Sequence, residues 1–217
     1  ASIPSGNFGH AYAGWTAKKM GLSFKGINVA TNMNDVLYQL FSRDIYEKKE
    51  AKSSLAPSMD ISVASNFERL LFEIYEGDGQ LLRSLFSSFP MKPIEFNNQT
   101  NEIWKDVKTF FQSSTCNDKD IIKTISQSFV DENILFDPHT ATALKGNDDL
   151  NYDLSDVVTF ATAHPAKFPD AVKAQSEYLE KITPEKLKQI MIKDESYSVI
   201  NNNFEELKSF INSEVLN

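Results

Sequence analysis

The stretch IPSGNFGHAYAGW, residues 3–15, decides how the chain is read. Pro4, Ser5, Gly6, Asn7 and Gly9 make its first half a loop, and its second half turns periodic. Residues 10–20 read as a helix with Ala11 and Trp15 on one side, Lys18 and Lys19 at its end and Gly21 at the stop. GINVAT, 26–31, follows as a short buried strand, and NMNDVLYQLF, 32–41, as a helix start capped by Asn32 or Asn34. Loop, helix, strand, helix is the rhythm of a parallel α/β sheet. The loop is therefore expected to be entered from a strand that is missing from this sequence.

The loop carries chemistry of its own. The first amides of a helix have no partner inside it, and glycines let an anion approach them closely. Ser5 adds a hydroxyl and Asn7 a side-chain amide, which suits a monoester phosphate. A plain turn with a helix cap uses the same residue types. The spacing is neither Gly-x-Gly-x-x-Gly nor a P-loop, since no Gly-Lys-Ser/Thr follows.

Further along, helices dominate. SNFERLLFEIYEG, 65–77, opens on a capping box of Ser65 with Glu68 and stops at Gly77. QLLRSLFSSF continues as a helical run, and 90–101 reads as a loop with a short extended piece. EIWKDVKTFF and DKDIIKTISQSF read as two helices separated by QSSTCN, with Asn117 and Asp120 capping the second. DPHTATALKG, 137–146, reads as a helix capped by Asp137, opened by Pro138 and ended by Gly146. VVTFAT, 157–162, has the composition of a buried strand, and MDISVA, 59–64, suits a strand or a loop. PDAVKAQSEYL, TPEKLKQIM with a Thr183 cap, and the tail from 202 are three more helices. Two strands near 27–30 and 157–161 are too few for a free-standing parallel sheet, so the chain reads as the later part of an α/β protein.

Composition bounds the function. The formal net charge of −8 argues against a general nucleic-acid surface, which needs Lys and Arg on phosphates. It leaves open a small anion held by backbone amides. No run reaches membrane-spanning length and no basic-then-apolar leader opens the sequence, so a cytoplasmic protein without membrane or nucleic-acid partners is expected. Cys116 is the single cysteine, so no disulfide forms within the chain. His10, His139 and His164 are far apart in sequence, and no metal site is expected. The absence of Gly-x-Ser-x-Gly removes a serine-nucleophile reading.

PSGNFG, AG, AKKMGL, ATNMND, MDISVASNFERLLF, DPHTA and ATAHPAKFP, in this order, resemble the threonine synthase family, pyridoxal-phosphate (PLP) enzymes of fold type II, the tryptophan-synthase-beta-like fold. The likeness runs from residue 4 to about residue 175 and favours the longer microbial and fungal branch. It implies that residues 1–217 are the carboxyl-terminal part of a PLP-binding α/β catalytic domain, a parallel sheet flanked by helices with a helical insertion around 65–130. It implies a lyase of threonine biosynthesis whose full-length form converts O-phosphohomoserine and water to L-threonine and phosphate. It implies that Ser5, Gly6, Asn7, Phe8 and Gly9 grip the cofactor phosphate and that Thr162 meets the pyridine nitrogen. A strand-end threonine bonded to backbone is the other reading of Thr162.

The same likeness implies no catalytic residue in this chain. The Schiff-base lysine is expected upstream, in a missing amino-terminal half, because Lys18, Lys19 and Lys167 lack its context. This chain alone is therefore expected to be inactive. His10 stands where an aspartate usually follows SGNFG, and reads as a solvent-facing first-turn residue or as a donor beside the phosphate. Two other classes stay in view: a stand-alone phosphate-ligand or interaction domain, and a related PLP-dependent serine/threonine dehydratase.

Overall fold

The computed structural model describes residues 1–96 and 102–215. The chain divides into two compact units, Ala1–Lys181 and Ile182–Asn217. The first holds a parallel sheet with the order β1 (Ser2–Pro4), β2 (Ile27–Thr31), β5 (Phe111–Thr115). Ile3 sits opposite Val29, and Val29 opposite Ser113. Two further strands, β3 (Ile45–Tyr46) and β4 (Ile94–Glu95), form a small antiparallel pair. The strand expected to be missing ahead of the loop is present: it is Ser2–Pro4, whose backbone pairs with that of β2. β4 supplies the extended piece read within 90–101, of which residues 97–101 lie outside the described residues.

Between these strands run α1 (Gly9–Lys19), α2 (Val36–Arg43), α3 (Phe67–Ile74), α4 (Gly79–Leu85), α5 (Glu102–Phe110), α6 (Asp118–Glu132) and α7 (Pro138–Asp149). Every residue of β2 is buried, the condition of a parallel strand covered on both faces. Alternation of side chains makes the two faces different. Ile3, Ile27, Val29 and Phe111 look into an apolar core with Phe8, Phe41, Phe67 and Trp104. Ser2, Asn28 and Ser114 form a buried polar ladder, with Asn28 Nδ2 3.0 Å from Ser2 Oγ and 3.1 Å from Ser114 Oγ. Helix α7 lies over that ladder, and Ser2 Oγ donates to Ala143 O at 2.9 Å.

Gly146 explains the closeness. A Cβ there would stand 2.2 Å from Ser114 Oγ and 2.4 Å from Asn28 Nδ2. It is the point where α7 touches the sheet, and the helix runs through it to Asp149. The helix end expected at Gly146 is corrected on that ground.

Other expectations change for similar reasons. Phe111 leaves the helical run and QSST pairs with β2, because the chain there lies beside a buried strand whose backbone groups need partners. Residues 157–162 do not form a buried strand: Ser2 N donates to Val158 O and Phe160 N to Ser2 O, but Val158 is 60% and Phe160 36% exposed. MDISVA is a loop that follows a 3₁₀ turn at Pro57–Met59. Asn32 and Asn34 do not cap α2, whose N-cap is Asp35. They bond Asp60 Oδ1 at 2.7 and 2.9 Å and hold the loop from Lys52 to Asp60. Ser65 does not cap α3, since its hydroxyl donates to Asn7 Oδ1 at 3.0 Å. The box of Asn117 and Asp120 on α6 forms as read.

The first unit closes with a 3₁₀ stretch at Pro169–Gln175 and α8 (Ser176–Ile182). The second contains α9 (Glu185–Met191), with Pro184 rather than Thr183 as N-cap, and α10 (Phe204–Phe210). Among the described residues, no helix is long and apolar enough to cross a membrane.

Candidate functional site

The site forms at the carboxyl ends of the parallel strands, the rim where open α/β sheets hold ligands. Pro4 ends β1, and Ser5 N donates to Ala30 O at 2.9 Å, which keeps the chain beside β2 before it turns. Phe8 takes a left-handed conformation, φ 65°, and drops its ring into the core at 5.4 Å from Phe111 and 5.7 Å from Phe67. That anchor ends the loop and starts α1, and no side chain caps the first amides of that helix. Ser5 Oγ is buried and has no hydrogen-bond partner among the described residues. Gly6 lies against the 57–59 turn, and Gly9 against the Asn66 amide.

A cleft of about 280 Å³ opens there, lined by Gly6, His10, Ser58, His139, Thr162 and Lys167 among others. It unites Gly6 and Thr162, 156 positions apart (162 − 6), on one surface. Ser5 is buried next to that wall. Asn7 Oδ1 is engaged by Ser65 and Asn66, and Phe8 has its side chain in the core, so what Phe8 can offer a ligand is backbone. A larger cavity, about 300 Å³, lies at the other ends of the strands around Gly26, Phe110 and Asp153. It contains none of the residues read as functional, and Gly6 and Thr162 line the smaller one.

His10 is half-buried, and its ring meets Phe160 edge-on at 5.1 Å. Burial lowers its pKa, against a hydrogen bond to the Pro4 backbone that raises it. The exposed Lys167 ammonium stands 5.7 Å from the Phe168 ring at the mouth of the cleft.

Asp137 is the hub behind the cleft. Its Oδ1 accepts from the His139 backbone N–H at 2.9 Å and faces His139 Nδ1 at 3.0 Å. Its Oδ2 accepts the Thr140 hydroxyl. Thr140 Oγ1 in turn accepts the Thr162 N–H at 3.1 Å, and His139 Nε2 accepts the Ser58 N–H at 3.1 Å. Burial pushes the Asp137 carboxyl up, and the bonds from His139 and Thr140 outweigh it, so the group titrates below the ordinary carboxylate value. A backbone N–H can only donate, so Nε2 accepts from Ser58 and Nδ1 is the donor toward Asp137.

The reading of single motifs missed Ser58, Met59 and the Asp137–Thr140–Thr162 chain. The signal was available as proximity of DPHTA to ATAHPAKF in the list of motifs, but their contact is made across 22 positions. Asp137 was read as a helix cap, which it is, and its second task is invisible locally.

The family model described as "Threonine synthase, C-terminal" matches residues 140–211. Threonine synthase of Pseudomonas aeruginosa is 35% identical over 211 residues, covering 97% of this chain and 45% of that protein. The Saccharomyces cerevisiae enzyme is 33% identical, over 87% of this chain and 41% of its own length. The crystal structure of yeast threonine synthase superposes with a TM-score of 0.83 at 30% identity, over 99% of this chain and 47% of that one. The PLP-bound threonine synthase from Brucella melitensis gives 0.81 at 32% identity, over 97% and 45%. The chain spans about half the length of the relatives it matches. The parallel sheet flanked by helices is the tryptophan-synthase-beta-like architecture that the motifs implied. With these likenesses along nearly all of its length, the chain belongs to the threonine synthase family.

Proposed function

We propose that this chain is the carboxyl-terminal part of a cytoplasmic, PLP-dependent lyase that converts O-phosphohomoserine and water to L-threonine and phosphate. The observation that carries the reading is the meeting of Gly6 and Thr162 on one cleft beside the uncapped start of α1. On this reading residues 1–217 belong to one PLP-binding catalytic domain, and the helical segment around 65–130 is an insertion that returns β5 to the sheet.

The residues fit the cofactor. The buried, unpartnered Ser5 hydroxyl and the uncapped amides of α1 match a phosphate monoester, which accepts and does not donate. A hydroxyl at the pyridine nitrogen, from Thr162, does not enforce a protonated ring. Bound PLP supplies the electron sink that stabilises carbanions next to the amino-bearing carbon. Ser5, Gly6, Asn7, Phe8 and Gly9 would bind its phosphate and fix its depth. Thr162 would orient the ring from the other side of the cleft. His10, its ring edge-on to Phe160, lines the cleft beside Gly6.

No proton-transferring lysine is assigned here; that role belongs to the amino-terminal half of the relatives' length, and this chain alone is expected to be inactive. The test is phosphate release from O-phosphohomoserine by the full-length gene product. Turnover confined to serine or threonine would replace the reading with a dehydratase.

A further inference from the structure

We propose that Asp137 is the positioning residue of the cleft, holding its two walls in register through two hydrogen-bond arms. The inference rests on the functional reading above only for the identity of the ligand. One arm runs Asp137–His139–Ser58 and reaches the turn at Pro57–Met59, which packs on Gly6. The other runs Asp137–Thr140–Thr162 and reaches the segment expected at the pyridine nitrogen.

The direction of each proton makes the case. An ionised carboxylate only accepts, so both His139 Nδ1–H and the Thr140 hydroxyl must donate to it. That leaves the far atom of each side chain as an acceptor. Thr140 Oγ1 takes the Thr162 N–H and His139 Nε2 takes the Ser58 N–H. Both ends are backbone amides, which cannot reverse their polarity, so the two arms are consistent only with an acceptor at their centre. Asp137, His139, Thr140 and Thr142 are all buried, and Thr142 Oγ1 donates to His139 O at 2.7 Å, which holds the turn that carries His139. The His139 ring also rests 4.5 Å from Phe168, which lines the cleft. One carboxylate thus sets the separation of the phosphate loop's neighbour and the ring's neighbour.

The experiment uses the full-length protein and four variants. Thr140→Val removes the hydroxyl at constant shape, and Thr140→Ser keeps it. His139→Asn retains a donor toward Asp137 but lacks an acceptor at the Nε2 position, and His139→Gln places an oxygen there. Amide hydrogen exchange at Thr162 and Ser58 reads each arm directly, and PLP titration by absorbance reads the cleft. Thermal melting confirms that each variant is folded.

Thr140→Val is expected to speed exchange at Thr162 and weaken PLP about tenfold, equal to about 1.4 kcal/mol. His139→Asn is expected to do the same with Ser58. Thr140→Ser and His139→Gln are expected to stay within about threefold of the parent. Unchanged exchange at Thr162 and Ser58 in the Val and Asn variants overturns the proposal. So does equal loss in all four, which is the mark of general destabilisation. A parent that binds no PLP sinks the functional reading instead, and the exchange data still decide whether the two hydrogen-bond arms hold Thr162 and Ser58.

Discussion

Gly6 and Met59 are in backbone contact: a Cβ on Gly6 would come within 2.9 Å of Met59 Cα and 3.3 Å of Ser58 O. Neither atom is the movable end of a side chain. Gly6→Ala is therefore expected to push the 57–59 turn off the loop at residues 5–9. A stability loss of ~1–3 kcal/mol follows from overpacking, together with weaker PLP binding. Urea unfolding and PLP titration of the full-length variant check both. Unchanged affinity would separate the turn from the site.

Phe8 links the loop to the core through three aromatic neighbours, Phe41, Phe67 and Phe111. Phe8→Ala leaves a cavity in a fully buried position, a change that costs about 3–5 kcal/mol. The loss is expected in the denaturation midpoint and, because this ring fixes the start of α1, in PLP affinity too. A stability loss with full affinity would show that the loop holds its shape without its anchor.

Asp137 makes stability depend on pH at the acid end. Its folded carboxyl titrates below the ordinary value of 3.8. Its contribution is complete above 3.8 and is lost as pH falls through the lower, folded value. Asp137→Asn keeps a cap-competent side chain and is expected to flatten that part of the curve. Denaturation of parent and variant between about pH 2 and pH 6 measures it. Parallel curves would assign the acid sensitivity elsewhere.

Cys116 is buried, and desolvation, with Asp120 nearby, pushes its thiol up to about 12. The thiolate is the reactive form, so alkylation at pH 8 is expected to be slow in the folded protein and fast in urea. Mass spectrometry after timed iodoacetamide treatment reads the difference. Rapid native labelling would mean that the chain around β5 opens readily.

Much of this protein was legible one motif at a time. The caps on α6 and α7 could be read because a cap is a contract between a side chain and amides two or three residues away. Gly21 stops α1 with φ 104° for an equally local reason. The buried strand at Ile27–Thr31 was visible in its composition. The family was visible because seven short motifs kept their order, and the structure brings Gly6 and Thr162 from the first and last of them onto one cleft.

Distance along the chain hid the rest. QSST has the composition of a loop, and it becomes the strand at Phe111–Thr115 only because β2 offers backbone partners. Gly146 resembles a helix stop, and its use is to let α7 touch Ser114 and Asn28. Ser65 resembles a cap, but its hydroxyl finds Asn7, 58 positions away. Val158 and Phe160 look buried in composition, yet they lie along an exposed edge of the sheet beside Ser2. Local propensity and capping act over one helical turn, so the sequence by itself determined the helices, the motifs and the family. Sheet pairing, close approach and the double hydrogen-bond arm of Asp137 depend on groups brought together from distant positions, and only the tertiary structure decided them.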